Sequence, residues 1–469
     1  MPQVASPPTP LSALERMRHW WRHIASSVLP ALDDAAERTS SRLVESIKPL
    51  LAESRAQRGG EVAARRRAGN IAAAYRAADA RQRAAMLNLI THEFAPDRDE
   101  LERAIAAIRT ASNDIELSRA EAHLRIALDA PRATFLTQFN LLPDGVKFLV
   151  DLRADLLDLL PKEPALEVLK VELDGLLERW FDPGFLELKR ITWQSSALIL
   201  EKLMAYEAVH PIASWSDLRN RLDTDRRCYA FFHPRLPEEP LIFVEIALLK
   251  GLPETVQALL DEKAPVQDPA AADTAIFYSI SSTQKGLRGI SFGNLLLKRV
   301  IEALQQDLPR LHVFATLSPI PGFRRWLETA LDEKRALLPA ADLAKLAGAL
   351  GHGNPETVLA DALAREEWHR DARMTEALRE PMEKLCARYL LQAKSGGQPI
   401  DAVAQFHLSN GAHVSRIFWL ADTSPRGLRQ SCGLMVSYRY ALSEVDRNHE
   451  QFHHNGRVPA ARKVQRLLA

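Results

Sequence analysis

The fold is decided by the stretch AIFYSISSTQKGLRG, residues 275–289, in which an apolar run leads into a polar loop with two glycines and two cations. Apolar residues then recur at helical spacing over 294–308, and a second apolar run, VFATL, occupies 313–317. A strand, a glycine loop, a helix and a second strand, with about thirty residues between the two strands, are typical of a parallel βαβ crossover. The sequence therefore predicts that this unit lies inside a sheet.

The loop Gln284–Gly289 is a candidate anion site. A glycine-containing loop that opens a helix presents free backbone N–H groups at the positive end of the helix dipole, where phosphate or pyrophosphate binds. Gly286 and Gly289 would allow a close backbone approach, while Lys285 and Arg288 would add positive charge. An ordinary loop with glycines for turn geometry is the alternative, since both the Gly-x-Gly-x-x-Gly spacing and the Walker lysine are absent. The loop alone does not name its ligand.

Length and composition limit the function classes. The 469 residues leave room for two or three domains, and 46% hydrophobic with 26% charged residues is typical of a soluble globular chain. A net charge of +1 gives no overall field for nucleic acid or a membrane surface. The three cysteines lack CxxC spacing, and no apolar run approaches the roughly 18 residues of a membrane span. We expect a cytoplasmic protein without nucleic-acid or membrane partners.

Residues 1–178 are predicted to form an all-α bundle used for docking or oligomerisation, because leucines recur there with helical period between prolines. Leu11–Leu29 is interpreted as a first helix, with an amphipathic targeting segment as the alternative. His449, His453 and His454 raise the question of a metal. No carboxylate or thiol is spaced with them, so a solvated helix face is preferred and no metal is expected.

Residues 179–469 are predicted to alternate strands with helices, with a helical insertion or lid at 323–393. One strand contains Glu245 among apolar residues, so this carboxylate either needs a partner or lies at an edge of the sheet. The predicted strands cover 186–193, 228–232, 241–248, 275–280, 313–317, 402–408, 415–420 and 434–440.

Several ordered motifs resemble the malonyl-CoA decarboxylase family. They are GFL (184–186) with RITW (190–193), EAVHP (207–211), IFYSIS (276–281), TQKGLRG (283–289), LSPIPGF (317–323), FHLSNGA (406–412), SCGLM (431–435) and YRY (438–440). The resemblance covers most of 180–445 and, more weakly, the helical part.

The resemblance implies an α+β two-domain fold. A helical domain, 1–178, would serve assembly into a homo-oligomer, a tetramer, and a catalytic domain, 179–469, would be similar to GNAT-type acyl-CoA N-acyltransferases with a helical insertion. In such folds the strand–loop–helix cradles the CoA pyrophosphate. The substrate-binding residues implied are Gln284, Lys285, Gly286, Arg288, Gly289, Ile290, Ser291, Phe292, Gly293, Asn294, Ser318 and His407. Ser291 replaces a glutamate of some members, whose role cannot be carried over, and Gln284–Gly289 only approximates the acyltransferase loop pattern.

The activity implied is conversion of malonyl-CoA to acetyl-CoA and CO2. The thioester carbonyl is itself the electron sink, so no cofactor is expected. The resemblance places Ser318 and His407 at the reacting centre, His407 as proton donor and Ser318 as a hydrogen-bonding or proton-accepting group, with Tyr440 nearby. Considered without the resemblance, these are a turn serine, a structural histidine at a strand end and a strand aromatic.

Two other function classes stay open at this point. An N-acyltransferase on the same module would need an amine acceptor and would use acetyl-CoA. A non-enzymatic CoA-binding regulator would bind without turnover, although the intact motifs around Ser318 and His407 argue against it. The sequence does not indicate whether methylmalonyl-CoA is accepted.

Overall fold

The computed structural model describes residues 43–128, 131–290 and 295–468, so the predicted helix Leu11–Leu29 lies outside the described residues. The chain forms two compact units. The first holds the described residues up to Trp180 together with Lys285–Ile290, and the second holds Phe181–Gln284 and the described residues from Leu295 on. The domain bounds 1–178 and 179–469 stay a prediction, and no local sequence pattern indicates that Lys285–Ile290 belongs with the helices.

The first unit is helical, as the leucine periodicity predicts. Asp79 begins one helix with a reciprocal capping box to Gln82, and Asp97 caps the next through two backbone N–H groups. The leucines of the predicted stripes, including Leu149, Leu156 and Leu173, are fully buried. Its helices are α1 (43–55), α2 (Glu61–Ala77), α3 (Ala80–Glu93), α4 (Arg98–Thr110), α5 (Asp114–Leu128), α6 (Pro131–Thr137), α7 (Gly145–Leu159) and α8 (Glu167–Trp180).

The second unit combines a mixed sheet with helices. Its strands are β1 (Glu187–Ile191), β2 (Arg226–Phe232), β3 (Ile242–Leu249), β4 (Thr274–Ser282), β5 (Val313–Thr316), β6 (Ser318–Pro319), β7 (Lys394–Ser395), β8 (Gln398–Pro399), β9 (His413–Phe418) and β10 (Met435–Arg439). Its helices are α9 (Ala197–Tyr206), α10 (Trp215–Arg221), α11 (Gln257–Leu260), α12 (Leu295–Asp307), α13 (Phe323–Asp332), α14 (Ala340–Leu350), α15 (Val358–Ala364), α16 (Ala372–Gln392), α17 (Ala402–Ser409), α18 (Pro425–Ser431), α19 (Val445–Asn455) and α20 (Arg462–Gln465).

The predicted βαβ crossover is confirmed. β4 and β5 pair in parallel from Thr274 opposite Val313 to Phe277 opposite Thr316, and α12 connects them. The other pairings are antiparallel, in the order β1-β2-β3-β4-β5-β10-β6, with β9 on β10. In this order, both β6 and the end of β5 lie beside β10.

The apolar strands β2 and β3 are buried on both faces, which leaves no water for the carboxylate of Glu245. Its partner is Arg221 of α10, whose Nη1 lies 2.9 Å from Glu245 Oε2. Asp217, one turn earlier on α10, also accepts from Arg221, at 2.7 Å. The predicted need for a partner is therefore met by a buried ion-pair network.

The predicted strand at 402–408 is wrong, because this segment is the helix α17. Asp401 caps it by accepting from the backbone N–H of Ala404 at 2.9 Å. The buried positions are Ala404, His407 and Leu408, the i, i+3, i+4 spacing of a helix. A short apolar run is compatible with either period, and the capping aspartate decides between them.

The helical insertion is confirmed, since α13–α16 run from Phe323 to Gln392. The predicted fold class, a helical N-terminal region followed by a mixed-sheet domain with a helical insertion, is confirmed with it. In the described ranges, no helix has both the length and the apolar character needed to cross a bilayer.

Candidate active site

The segment β5–β6 places two hydroxyls on one side of the extended chain. Thr316 and Ser318 are two residues apart, so their side chains point the same way. Ser318 Oγ donates to Thr316 Oγ1 at 2.9 Å, and Thr316 Oγ1 also accepts the backbone N–H of Tyr438 on β10, at 3.0 Å. Both residues are buried, Thr316 being 1% and Ser318 6% exposed. The serine is therefore held by the sheet itself.

The last turn of α17 brings His407 to this serine. His407 Nε2 lies 3.1 Å from Ser318 Oγ, although the residues are 89 positions apart. The ring stacks on Tyr438, with centroids 4.5 Å apart at 22°. On the other side, His407 Nδ1 lies 2.7 Å from the hydroxyl of Tyr440. Tyr438 and Tyr440 alternate along β10 and its end, so one strand both supports the ring and bonds its second nitrogen.

The hydrogen-bond network is used to assign the ring's tautomer. With the Ser318 hydroxyl assigned as the donor to Thr316, its oxygen accepts from His407, which assigns the proton to Nε2. Nδ1 then accepts the Tyr440 hydroxyl proton. Burial lowers the pKa of His407 to about 3 and raises the pKa of Tyr440 well above its usual value. The ring is thus neutral, an N–H donor toward Ser318 and an acceptor from Tyr440.

This arrangement favours stabilisation of an oxyanion over activation of a nucleophile. Both nitrogens of His407 are occupied by hydroxyls, so no carboxylate orients the ring as in a Ser-His-Asp triad. The proton of Ser318 is directed to Thr316 and not to the ring. What the group offers a substrate is a set of neutral donors in a dry site, where hydrogen bonds to a developing negative charge are strong.

From Lys285 on, the described part of the predicted glycine loop belongs to the other compact unit, with α7. Gly286 is buried against this helix, and a Cβ there would lie 1.7 Å from the carbonyl oxygen of Val150. The close backbone approach that Gly286 allows is thus to the backbone of α7. Lys285 forms an exposed ion pair with Asp158, whereas the Arg288 side chain is exposed.

The remaining loop residues divide between the units. Gln284 is buried in the second unit, 3.4 Å from Glu239. Gly289 has a φ of +81°, a left-handed conformation that favours glycine, and Ile290 is buried. Residues 291–294, the predicted Ser291, Phe292, Gly293 and Asn294, lie outside the described residues. The structure therefore brings Ser318, His407 and Tyr440 together, and the binding role of the loop stays a prediction.

Three site residues were missing from the sequence-based set: Thr316, Tyr438 and Asp401. The alternation Tyr438-Arg439-Tyr440 in a predicted strand is a signal that both rings point to one face. Thr316 gives the same period-2 signal with Ser318. Asp401 is a residue type that often caps a helix, but this signal conflicts with the interpretation of 402–408 as a strand.

The histidines near the C-terminus lie on α19. His449 Nδ1 is 2.7 Å from the carbonyl oxygen of Ser409, while His453 and His454 are exposed. Across the described part of the chain, no group of three or more His, Cys, Asp or Glu side chains is arranged to hold a metal ion.

Fold and site together define an α+β enzyme with a helical N-terminal region and a buried histidine hydrogen-bonded to a serine and a tyrosine. Comparison with family models matches residues 184–469 to the malonyl-CoA decarboxylase C-terminal domain and residues 94–181 to the N-terminal domain. The chain belongs to the malonyl-CoA decarboxylase family, whose enzymes are carboxy-lyases. The predicted family and enzyme class are confirmed.

Curated relatives match most of the chain. It is 35% identical over 457 residues to the mitochondrial malonyl-CoA decarboxylase of Anser anser anser, covering 94% of this chain and 90% of the relative. The Mus musculus protein of the same name is 36% identical over 408 residues, covering 84% and 83%.

Solved structures agree with this assignment. The crystal structure of malonyl-CoA decarboxylase from Rhodopseudomonas palustris is 41% identical, with a TM-score of 0.81, covering 91% of this chain and 99% of that one. The Agrobacterium vitis structure is 37% identical, with a TM-score of 0.82, covering 90% and 100%.

Proposed function

We propose that the chain decarboxylates malonyl-CoA to acetyl-CoA and CO2 through a thioester enolate, with His407 as the proton donor. The observation that carries the proposal is the neutral, buried ring of His407 between Ser318 and Tyr440, at 3.1 and 2.7 Å. The malonyl-CoA decarboxylases of Anser anser anser and Rhodopseudomonas palustris, which match most of the chain, support malonyl-CoA as the substrate.

The chemistry follows from the substrate. When the carbon–carbon bond to the carboxylate breaks, its electron pair moves into the thioester carbonyl, so the charge appears on the thioester oxygen. The substrate thus supplies its own electron sink, and we propose that no cofactor takes part. The protein has to hold the breaking bond perpendicular to the thioester plane and stabilise the oxyanion.

In the proposed mechanism, the Nε2–H of His407 turns from Ser318 to the thioester oxygen as charge develops there. The enolate carbon is a much stronger base than an imidazole anion, so the neutral ring can pass this proton to the carbon. Solvent then returns a proton to Nε2, while the Tyr440 hydroxyl keeps its hydrogen bond to Nδ1, so the starting tautomer is restored. One proton is consumed for each CO2 released, as the reaction requires. Ser318 hydrogen-bonds the malonyl carboxylate or the thioester carbonyl.

The loop predicted from the sequence completes the proposal. Gln284–Gly289 with Ile290, Ser291, Phe292, Gly293 and Asn294 would bind the CoA portion, in the manner of a GNAT-type module. We also propose that the chain assembles into a homo-oligomer, a tetramer, and acts in the cytoplasm. Size-exclusion chromatography with light scattering, and fractionation of source cells, test these last two points.

The test of the reaction is acetyl-CoA release from malonyl-CoA without added metal. Ser318→Ala and His407→Asn should each lower kcat at least about 100-fold, since one such donor contributes about 3 kcal/mol to the transition state. Tyr440→Phe should lower kcat as well, because the ring loses the bond that holds its tautomer. His453→Asn, an exposed histidine on α19, is the matched control and should keep wild-type activity.

Two outcomes would contradict the proposal. Folded wild-type protein that releases no acetyl-CoA, but transfers acetyl groups from acetyl-CoA to amines, would favour the N-acyltransferase. Release that survives both Ser318→Ala and His407→Asn would keep the reaction and move the reacting centre elsewhere.

A further inference from the structure

A buried arginine of α7 grips the backbone of the predicted substrate loop. Arg153 is 2% exposed, and its Nη1 donates to the carbonyl oxygens of Gly286 at 2.6 Å and Arg288 at 2.9 Å. Its Nε donates to Asp174 Oδ1 at 2.6 Å, which neutralises the charge. Nη1 of the planar guanidinium thus bridges two carbonyls of one loop while Nε is held by Asp174, whereas a lysine has a single nitrogen for all three acceptors.

Two further contacts with α7 fix the same loop. Gly286 lies so close to Val150 that a Cβ would fall 1.7 Å from the Val150 carbonyl oxygen, so the backbone has no room to shift toward the helix. Lys285 pairs with Asp158 at the end of α7. The loop is therefore held at Lys285, at Gly286 and at Arg288 by a single helix.

These contacts of α7, the clamp, determine which loop cation is available to bind a ligand. The side chain of Lys285 is engaged by Asp158, whereas the exposed Arg288 pairs with no carboxylate among the described residues. Because Arg153 holds the Arg288 carbonyl, the side chain of Arg288 projects from a fixed backbone. A guanidinium in such a position suits a phosphate, which it can bind with two parallel hydrogen bonds.

We propose that Arg153 is a positioning residue for the CoA part of the substrate, setting the loop so that Arg288 meets the CoA phosphates. The inference rests on the proposed function, because it takes the loop to be the acyl-CoA site. It assigns the helical unit a part in substrate binding in addition to any part in assembly.

The experiment compares Arg153→Lys with Arg132→Lys. Arg132 is an equally buried arginine of the same unit, 4% exposed, which donates to the Thr91 carbonyl oxygen at 2.9 Å and lies 3.4 Å from Glu172. Neither of these bonds goes to the loop, so Arg132 controls for general loss of packing. The readouts are KM and kcat for malonyl-CoA, the calorimetric Kd for free CoA, and the rate of tryptic cleavage after Lys285 and Arg288.

We expect Arg153→Lys to raise KM and the Kd for CoA by about 10-fold or more, to change kcat by less than about 3-fold, and to speed cleavage within the loop. Arg132→Lys should leave all four values near wild type. Arg288→Ala should reproduce the higher Kd without faster cleavage after Lys285. Should Arg153→Lys fail to fold, Asp174→Asn removes the anchor of the guanidinium by a milder change.

Faster cleavage with an unchanged Kd would overturn the inference, since the clamp would then hold a loop that does not bind CoA. An equal rise in KM for Arg132→Lys would also overturn it, because the effect would be general. Failure of the proposed function is seen separately, in wild-type protein that neither turns over malonyl-CoA nor binds CoA.

Discussion

We expect kcat for malonyl-CoA decarboxylation to be independent of pH between about pH 7 and 9, because the proposed proton donor is a neutral imidazole. Burial lowers the pKa of His407 to about 3, and burial raises the pKa of Tyr440 well above its usual value. Neither group changes its protonation state in this range. A pH profile of kcat governed by these two groups is therefore flat in this range, and titration of His407 changes kcat only at acid pH.

The bound substrate does not change this expectation. A malonyl carboxylate about 4 Å from the ring would stabilise an imidazolium by about 4 kcal/mol at an effective dielectric constant of about 20. Bringing a pKa of about 3 up to neutrality takes about 5.4 kcal/mol, four times 1.36 kcal/mol. The carboxylate falls short of that amount, so His407 stays mainly neutral above pH 7.

The assay is the initial rate of acetyl-CoA formation at saturating malonyl-CoA, in half-unit pH steps, with buffer blanks for thioester hydrolysis and His453→Asn as a parallel control. A constant kcat supports the neutral donor. If log kcat instead falls with a slope of −1, a loss of about 100-fold over the range, the donor is an imidazolium and the reasoning from burial is refuted.

Three other perturbations test the surroundings of the site. Asp401→Ala removes the cap on Ala404 and should destabilise the second unit by about 1 kcal/mol in urea unfolding and lower kcat, whereas Asp401→Asn should recover most of both. Glu245→Ala leaves Arg221 buried with fewer partners and should cost about 3 kcal/mol in the same measurement. Burial lowers the pKa of His210 to about 4, so as the pH falls below the ordinary pKa of histidine, the unfolded chain binds a proton before the folded chain does. Between pH 7.5 and 5 this difference lowers the free energy of unfolding by about 2 kcal/mol. His210→Asn should remove that part of the acid sensitivity.

The central crossover could be predicted from the sequence because its evidence is local. β4 and β5 are each a continuous apolar run, and the parallel pairing follows from the length of chain between them. The wrong prediction of a strand at 402–408 also has a local cause. Ala402–Ser409 is too short for its period to be distinguished by apolar residues alone, and only Asp401 marks it as a helix.

The candidate site could be predicted only through the family resemblance. Ser318 and His407 lie 89 residues apart, and neither has a neighbouring residue that indicates a reaction. Their approach depends on how α17 packs against β10, a tertiary contact without a local signal. The grip of Arg153 on Gly286, across 133 residues, is of the same kind. An arginine in a helix is expected at the surface, and only the structure shows that its acceptors are loop carbonyls.

A neutral hydrogen-bond chain suits the charge balance of the proposed reaction. The malonyl carboxylate is the charge that enters the site, and this charge passes to the thioester oxygen while the carboxyl group leaves as neutral CO2. A permanently charged side chain at this point would stabilise the reactant carboxylate as well as the enolate, so it would lower KM without raising kcat. None of the described residues bonded to or stacked on His407 carries a charge. In the proposed mechanism, the hydrogen bond from its Nε2–H therefore strengthens mainly when the thioester oxygen becomes negative, which is the condition for stabilising the transition state more than the substrate.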